Sequence, residues 1–223
     1  MATVAGGAAI GVLAGSHLAE RFRVTLISGI ALITFGVGLS SFLETDNAVF
    51  PVVSIVLGGL IGEALRLEQR LVGVGERLRR RFASGSPGAG SFVEGFVTAS
   101  LTFCVGALTV LGSLADGIRG DSRLLVVKAS LDGVVAVVYA ATFGWGVAFA
   151  ALTVGVLQGG ITVLGAVLGD GLLTDRMVAE LSATGGVMIF GIGLRLLDLR
   201  PVPVASYLPG LVIAPVLVGL FAR

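Results

Sequence analysis

LLVVKASLDGVVAVVYAATFGWGVAFAALTVGVLQGGITVLGAVLG, Leu124 to Gly169, holds two charges near its start, Lys128 and Asp132, and none from Gly133 onward. A helix that crosses a bilayer needs roughly 20 apolar residues at about 1.5 Å each. The charge-free part therefore holds the end of one helix, a turn at GWG (residues 144–146) and a complete second helix. Lys128 and Asp132 stand at i and i+4, on one helix face, and Asp132 is about ten residues into its segment, near the midplane. Central charges cost about 3 kcal/mol each on the milder insertion scale, so such residues face a protein interior or a watery cavity and pair with one another. A pair of this kind serves a transported ion or solute, or it locks helix to helix; a lysine this close to a helix end can also reach the interface.

The rest of the chain has the same character. Of 223 residues 55% are hydrophobic and only 13% charged, and the mean hydropathy is +1.02, outside the range of a soluble domain this size. The chain reads as an integral membrane protein. A net charge of +1, with basic residues gathered in one segment, argues against nucleic-acid binding. Cys104 and His17 are each the only residue of their type, so no intrachain disulfide forms and the usual zinc constellations are missing. The start, MATVAGGAAIGVLAGSH, lacks a positive signal-peptide region and reads as a retained first segment.

Apolar runs at Thr3–Ser16, Val24–Leu43, Ala48–Gly62 and Gly95–Ala115 precede the opening stretch, and Met177–Leu194 and Pro201–Ala222 follow it. The expectation is an all-α polytopic membrane bundle of eight segments, or seven if a short one fails to cross. Between segments three and four, Arg66 to Ser91 carries Arg66, Arg70, Arg77, Arg79, Arg80 and Arg81 with Leu and Val at helical spacing. It reads as an amphipathic interfacial helix with a Gly/Ser/Pro link, cytoplasmic by the positive-inside rule. Eight crossings then put ETDN (residues 44–47) and both termini outside, in a multi-pass protein of the inner, or plasma, membrane.

FGVGL (Phe35 to Leu39) recurs as FGIGL (Phe190 to Leu194), and GGAAIGVLAG (Gly6 to Gly15) parallels GGITVLGAVLG (Gly159 to Gly169). Segments one to three thus resemble six to eight, and an offset of five crossings makes the repeat inverted; chance likeness between low-complexity helices is the competing explanation. The chain divides into a first repeat at 1–65, the Arg-rich element at 66–91, a central two-helix unit at 92–144 and a second repeat at 145–223, all within one membrane domain.

Candidate binding residues are Lys128 and Asp132, joined by Glu94, Thr98 and Thr102, which recur at four-residue intervals as a polar stripe down segment four. Gln158 stands before Gly159 and Gly160, which are read as opening or breaking segment six and exposing backbone groups, and Glu63 ends GGLIGE at the foot of segment three. Against these roles, Ser and Thr bond back to their own helices, Glu63 meets headgroups or Arg66, and GxxxG spacings such as Gly11/Gly15 and Gly165/Gly169 serve close packing. There is no phosphate-binding loop, nucleophile elbow or metalloprotease motif, so no enzyme activity, cofactor or metal is expected.

SIVLGGLIGEALRLEQRL (Ser54 to Leu71), SFVEGFVTASLTFCVGALTVLGSLADGIRGD (Ser91 to Asp121), KASLDG (Lys128 to Gly133), LQGGITVL (Leu157 to Leu164), ATGGVMIFGIGL (Ala183 to Leu194) and LPGLVIAP (Leu208 to Pro215) resemble, in this order, the bacterial membrane family catalogued as domain of unknown function 554. The resemblance covers nearly the whole chain. It implies a polytopic inner-membrane protein of seven or eight segments, in some members described as a transporter. Asparagine is common in that family near Gly6, Arg195 and Ser206, whereas this chain's only asparagine is Asn47; if those amides bind solute in relatives, other groups do so here. Two functions remain. One is a secondary transporter or channel for a small ion or polar solute; the other is a non-transporting structural or regulatory membrane protein acting through its basic cytoplasmic helix. The lipid bilayer is a partner in both, and a homo-oligomer is compatible with either.

Overall fold

A computed structural model describes residues 1–15, 20–83, 89–105, 107–168 and 173–221. His17, Gly106, Gly169, Asp170 and the link at 84–88 lie outside the described residues. Among the described residues the chain is all-helical and has no strand: α1 (Ala2–Gly15), α2 (Glu20–Phe42), α3 (Val49–Ala64), α4 (Leu67–Phe82), α5 (Ala89–Cys104), α6 (Ala107–Arg119), α7 (Arg123–Phe143), α8 (Gly146–Leu168), α9 (Asp175–Leu196), a 3-10 turn (Val204–Tyr207) and α10 (Gly210–Phe221).

Five of these stretches are long and apolar enough to cross a bilayer: Val24–Phe42, Arg123–Phe143, Gly146–Val167, Asp175–Leu196 and Val204–Phe221. Two broken pairs, α3 with α4 and α5 with α6, raise the figure to seven if each is one span. The short helix α1 has 14 residues, roughly 21 Å against a hydrocarbon core of about 30 Å. Length therefore supports five to seven crossings, not eight. Two further expectations change. The run Gly95–Ala115 is not one clean span, because α5 stops at Cys104 and α6 starts at Ala107. Segment six is unbroken, because α8 passes straight through Gly159 and Gly160: an isolated glycine pair weakens a helix by only about 1 kcal/mol per residue, too little to break one flanked by strong apolar turns.

The chain forms two compact units. The first comprises Met1–Ser28, Leu71–Cys104 and Leu108–Val167. Within it α1 lies along α7 in the same direction. Cβ atoms placed on Gly7, Gly11 and Gly15 would fall 2.2, 2.1 and 2.3 Å from the carbonyl oxygens of Gly133, Val137 and Ala141, so three glycines four apart bring two backbones into contact. Gly144, at φ 75°, ends α7 in the left-handed region that glycine enters without strain. The chain then turns into α8, whose first residue, Gly146, is pressed against the Phe92 carbonyl of α5. Gly75 on α4 faces the Phe96 ring of α5, which seats the amphipathic helix by its small face.

The second unit comprises Gly29–Arg70, Val105–Ala107 and Leu168–Arg223. Its centre is α9, with 67% of its span buried by a run of small residues, Ser182 to Gly186. The outer part of α2 packs antiparallel to α9: the Phe35 and Phe190 rings lie 4.6 Å apart, and a Cβ on Gly38 would be 2.8 Å from the Phe190 nitrogen. On another side, Gly58 and Gly62 of α3 meet Gly210 and the Ser206 carbonyl, so α3 runs antiparallel to α10. The Ser54 hydroxyl is buried there with no hydrogen-bond partner.

Carboxylates tie down the connections of this unit. Glu180, 0% exposed, accepts from the Thr45 hydroxyl at 2.6 Å and from the backbone N–H groups of Asp46 and Asn47 at 3.0 and 3.1 Å. Glu68, in the first turn of α4, accepts from Arg195 at 2.5 Å and from the Ala205 N–H at 2.9 Å. Helices α3 and α9 each end on a residue with positive φ, Arg66 at 53° and Asp198 at 55°.

Candidate functional site

In the first unit, Lys128 and Asp132 form the ion pair that their spacing calls for, one turn apart on α7. Their side chains are only 6% and 14% exposed, so both point into protein and away from lipid. Tyr139, seven residues beyond Asp132 and therefore on the same face, is 1% exposed. Its hydroxyl shares a 3.1 Å hydrogen bond with Thr102 of α5. A polar line thus follows one face of α7 from the ion pair to the Tyr139–Thr102 contact.

Helix α5 ends beside this line. Cys104, its last residue, lies within electrostatic reach of both Lys128 and Asp132 and is hydrogen-bonded to Thr153 of α8. The Thr153 hydroxyl stands 2.8 Å from both Ser100 Oγ and the Ala150 carbonyl. Its single hydrogen serves one of these bonds, so if it goes to the carbonyl, Ser100 donates the other. Thr109 of α6 donates to the Phe103 carbonyl at 3.2 Å, satisfying an acceptor that the helix break leaves without its usual partner. A discontinuous helix whose end lies within electrostatic reach of an enclosed ion pair brings fixed charges and hydroxyls to one region of the unit. Such broken spans line binding sites in membrane transporters.

The other expected site residues fare differently. Thr98 is enclosed, at 2% exposed, but Glu94, heading the same stripe, is exposed. Residues 95–101 of α5 are buried all round, so Glu94 is exposed because it precedes the enclosed stretch, not because it faces another way. Gln158 is half-buried on the unbroken α8. Glu63 belongs to the second unit, where it accepts from the Ser206 hydroxyl at 3.3 Å. Sequence reasoning passed over Tyr139 and Thr153; of these Tyr139 had a signal, its i+7 spacing from Asp132. It also passed over Glu180, Glu68 and Arg195, whose partners are more than a hundred residues away. Among the described residues no group of three His, Cys, Asp or Glu could hold a metal ion.

Apolar spans around an enclosed ion pair and a broken helix define a polytopic α-helical membrane protein. The chain belongs to the family described as "Protein of unknown function (DUF554)", whose model matches residues 1–219. It is 29% identical over 216 residues to the "Uncharacterized membrane protein YdfK" of Bacillus subtilis (strain 168), covering 95% of this chain and 90% of that one. It is also 29% identical over 213 residues to the "Uncharacterized protein YqgA" of Escherichia coli (strain K12), covering 93% and 89%. No solved structure matches the chain.

Proposed function

We propose that this protein is a secondary transporter or channel for a small ion or small polar solute, and not an enzyme. Its site would be the Lys128–Asp132 pair with the hydroxyls of Thr102, Tyr139, Ser100 and Thr153. The observation that carries the reading is the enclosed ion pair beside the end of α5. A purely structural pair gains little over well-packed apolar residues, whereas charges retained within a span mark ion and solute pathways.

The same reading includes an inverted repeat. Residues 35 and 38 correspond to 190 and 193 in the two FG-G-L copies. Gly38 abuts the Phe190 backbone and Gly193 the Phe35 ring, so each motif's glycine meets the other's phenylalanine, the residue pairing a two-fold contact calls for. Helix directions agree as well: α1 parallel to α7, α2 antiparallel to α9 and α3 antiparallel to α10 fit a chain whose Arg-rich loop, 66–91, is cytoplasmic and whose 44–47 loop is external. A second reading, anchoring or regulation through α4, is favoured by the exposed Arg77, Arg80 and Arg81, since a basic residue near an anionic leaflet contributes about 1 kcal/mol.

Flux into liposomes carrying the purified protein, followed for a panel of ions and small polar solutes, tests the proposal. Asp132→Asn is expected to abolish flux while leaving the protein folded; undiminished flux would remove the site. If α4 is the working element, replacing Arg77, Arg80 and Arg81 with Gln removes function and Asp132→Asn does not.

A further inference from the structure

The geometry points to a site that takes up a small monovalent anion together with one proton: the anion replaces Asp132 on the Lys128 ammonium, and Asp132, left without its counter-charge, is protonated. This rests on the transport reading for its purpose, but it follows from the charges themselves. Lys128 and Asp132 together are neutral, and both are almost wholly enclosed. An enclosed site of low dielectric tolerates a neutral set of charges far better than an unbalanced one. An anion alone would leave two negative groups on one ammonium. The balanced exchange is one anion and one proton in, converting an ammonium–carboxylate pair into an ammonium–anion pair beside a neutral carboxylic acid. No bond other than the new O–H forms, and that proton comes from solution.

The groups around the pair fit an anion better than a cation. Lys128 brings three N–H donors and spends one on Asp132. Thr153, which joins the pair through Cys104, and Ser100 bonded to it add hydroxyls able to turn a hydrogen toward a guest; the Thr102–Tyr139 contact lies two turns further along α7. A bare metal cation asks for several oxygen ligands with carboxylates among them. Here the one carboxylate is already engaged, and no cluster of three acidic or sulfur ligands occurs among the described residues. Lys128, the stronger of the two cations acting on Asp132, sets the guest at one negative charge. The titratable groups facing the pair are Cys104 from α5 and the amino group of Met1 at the start of α1, with Tyr139 further along α7; α8 brings only the neutral Thr153.

The test is isothermal titration of the full-length protein in detergent with the sodium salts of chloride, nitrate, formate and acetate, each in two buffers of different ionisation enthalpy. The expected result is binding of at least one of these anions with one proton taken up per anion. Its dissociation constant should rise about tenfold per pH unit, the linkage for one bound proton. Asp132→Asn should bind the anion with no proton uptake, Lys128→Met should lose binding, and Lys128→Arg should restore it. Anion binding without proton uptake, proton uptake that persists in Asp132→Asn, or no binding of any of the four anions overturns the inference, and the wild-type titration decides it even if a variant fails to fold. The readout needs no gradient or flux. Its failure leaves transport of another solute standing, and proton-linked binding without liposome flux leaves the site standing and removes the transport reading.

Discussion

Lys128 and Asp132 are worth separating from each other experimentally, because structure and transport make opposite demands on them. Lys128→Ala strands an enclosed carboxylate and should destabilise the protein by about 3–5 kcal/mol, whereas replacing both members with apolar residues, Lys128→Met with Asp132→Leu, should be near neutral. If thermal melts in detergent follow this order and the double variant carries no flux, the pair is kept for function; a double variant that transports normally makes it structural glue. Glu180 makes a different case. It is fully enclosed and receives three hydrogen bonds from the 45–47 connection, and hydrogen bonds to a charged group contribute about 1.5–3 kcal/mol each. Glu180→Ala should lower stability by about 3 kcal/mol or more, with Glu180→Gln losing less, as read by denaturation of the purified protein. The ion pair was legible because both members lie within one turn. Glu180 was not, because its partners are remote in the chain and nothing local distinguishes it from a headgroup-facing acid.

Helices were the most legible level. Apolar runs bounded by charges located every spanning element, since hydrocarbon permits little else but a helix with its backbone bonds satisfied internally. What escaped was where a helix breaks. Paired glycines in α8 suggested a break that is absent, while α5 and α6 separate at FCVGA, residues 103–107, where the sequence holds a single glycine and Thr109 is bonded to the Phe103 carbonyl. Breaks are decided by what replaces the lost backbone bond, and that is a tertiary matter. The α1–α7 contact yields a sharp prediction. A side chain at Gly11 would collide with the Val137 carbonyl 2.1 Å away, so Gly11→Leu should pry the helices apart, and a disulfide between cysteines placed at Thr3 and Gly133, where a Cβ on the glycine would stand 3.2 Å from the Thr3 Cβ, should stop forming. At the ends of α3 and α9, Arg66 and Asp198 hold positive φ, which costs a non-glycine residue about 1 kcal/mol. Arg66→Gly and Asp198→Gly should therefore leave the melting temperature unchanged or raise it.

For the molecule as a whole, five to seven spans and the direction of each packed pair constrain how the chain is threaded. An inverted repeat places the connections after its two FG-G-L copies on opposite faces of the membrane. Of single cysteines at Ala48 and Leu199, both exposed, introduced into a Cys104→Ala background, Ala48→Cys should react with an impermeant thiol reagent in right-side-out vesicles and Leu199→Cys only in inside-out ones. Gln69→Cys should report from the same side as Leu199→Cys. Labelling of Ala48→Cys and Leu199→Cys from one side would sink the inverted arrangement. The two glycines of the FG-G-L motifs meet different atoms: Gly38→Val drives a side chain into the Phe190 backbone, 2.8 Å away, and should cost more stability than Gly193→Val, which meets the movable Phe35 ring.

By itself the sequence determined that the chain is helical, that it belongs in a membrane and that Lys128 and Asp132 face the same way. These follow from hydropathy and helical period, which act over neighbouring residues. Only the tertiary structure decided that the pair is enclosed, that the end of α5 and the Thr153 hydroxyl stand beside it, and that Glu180 and Glu68 latch distant connections. Burial and hydrogen-bond partners depend on which surfaces meet, and backbone contacts through glycine leave almost no trace in composition.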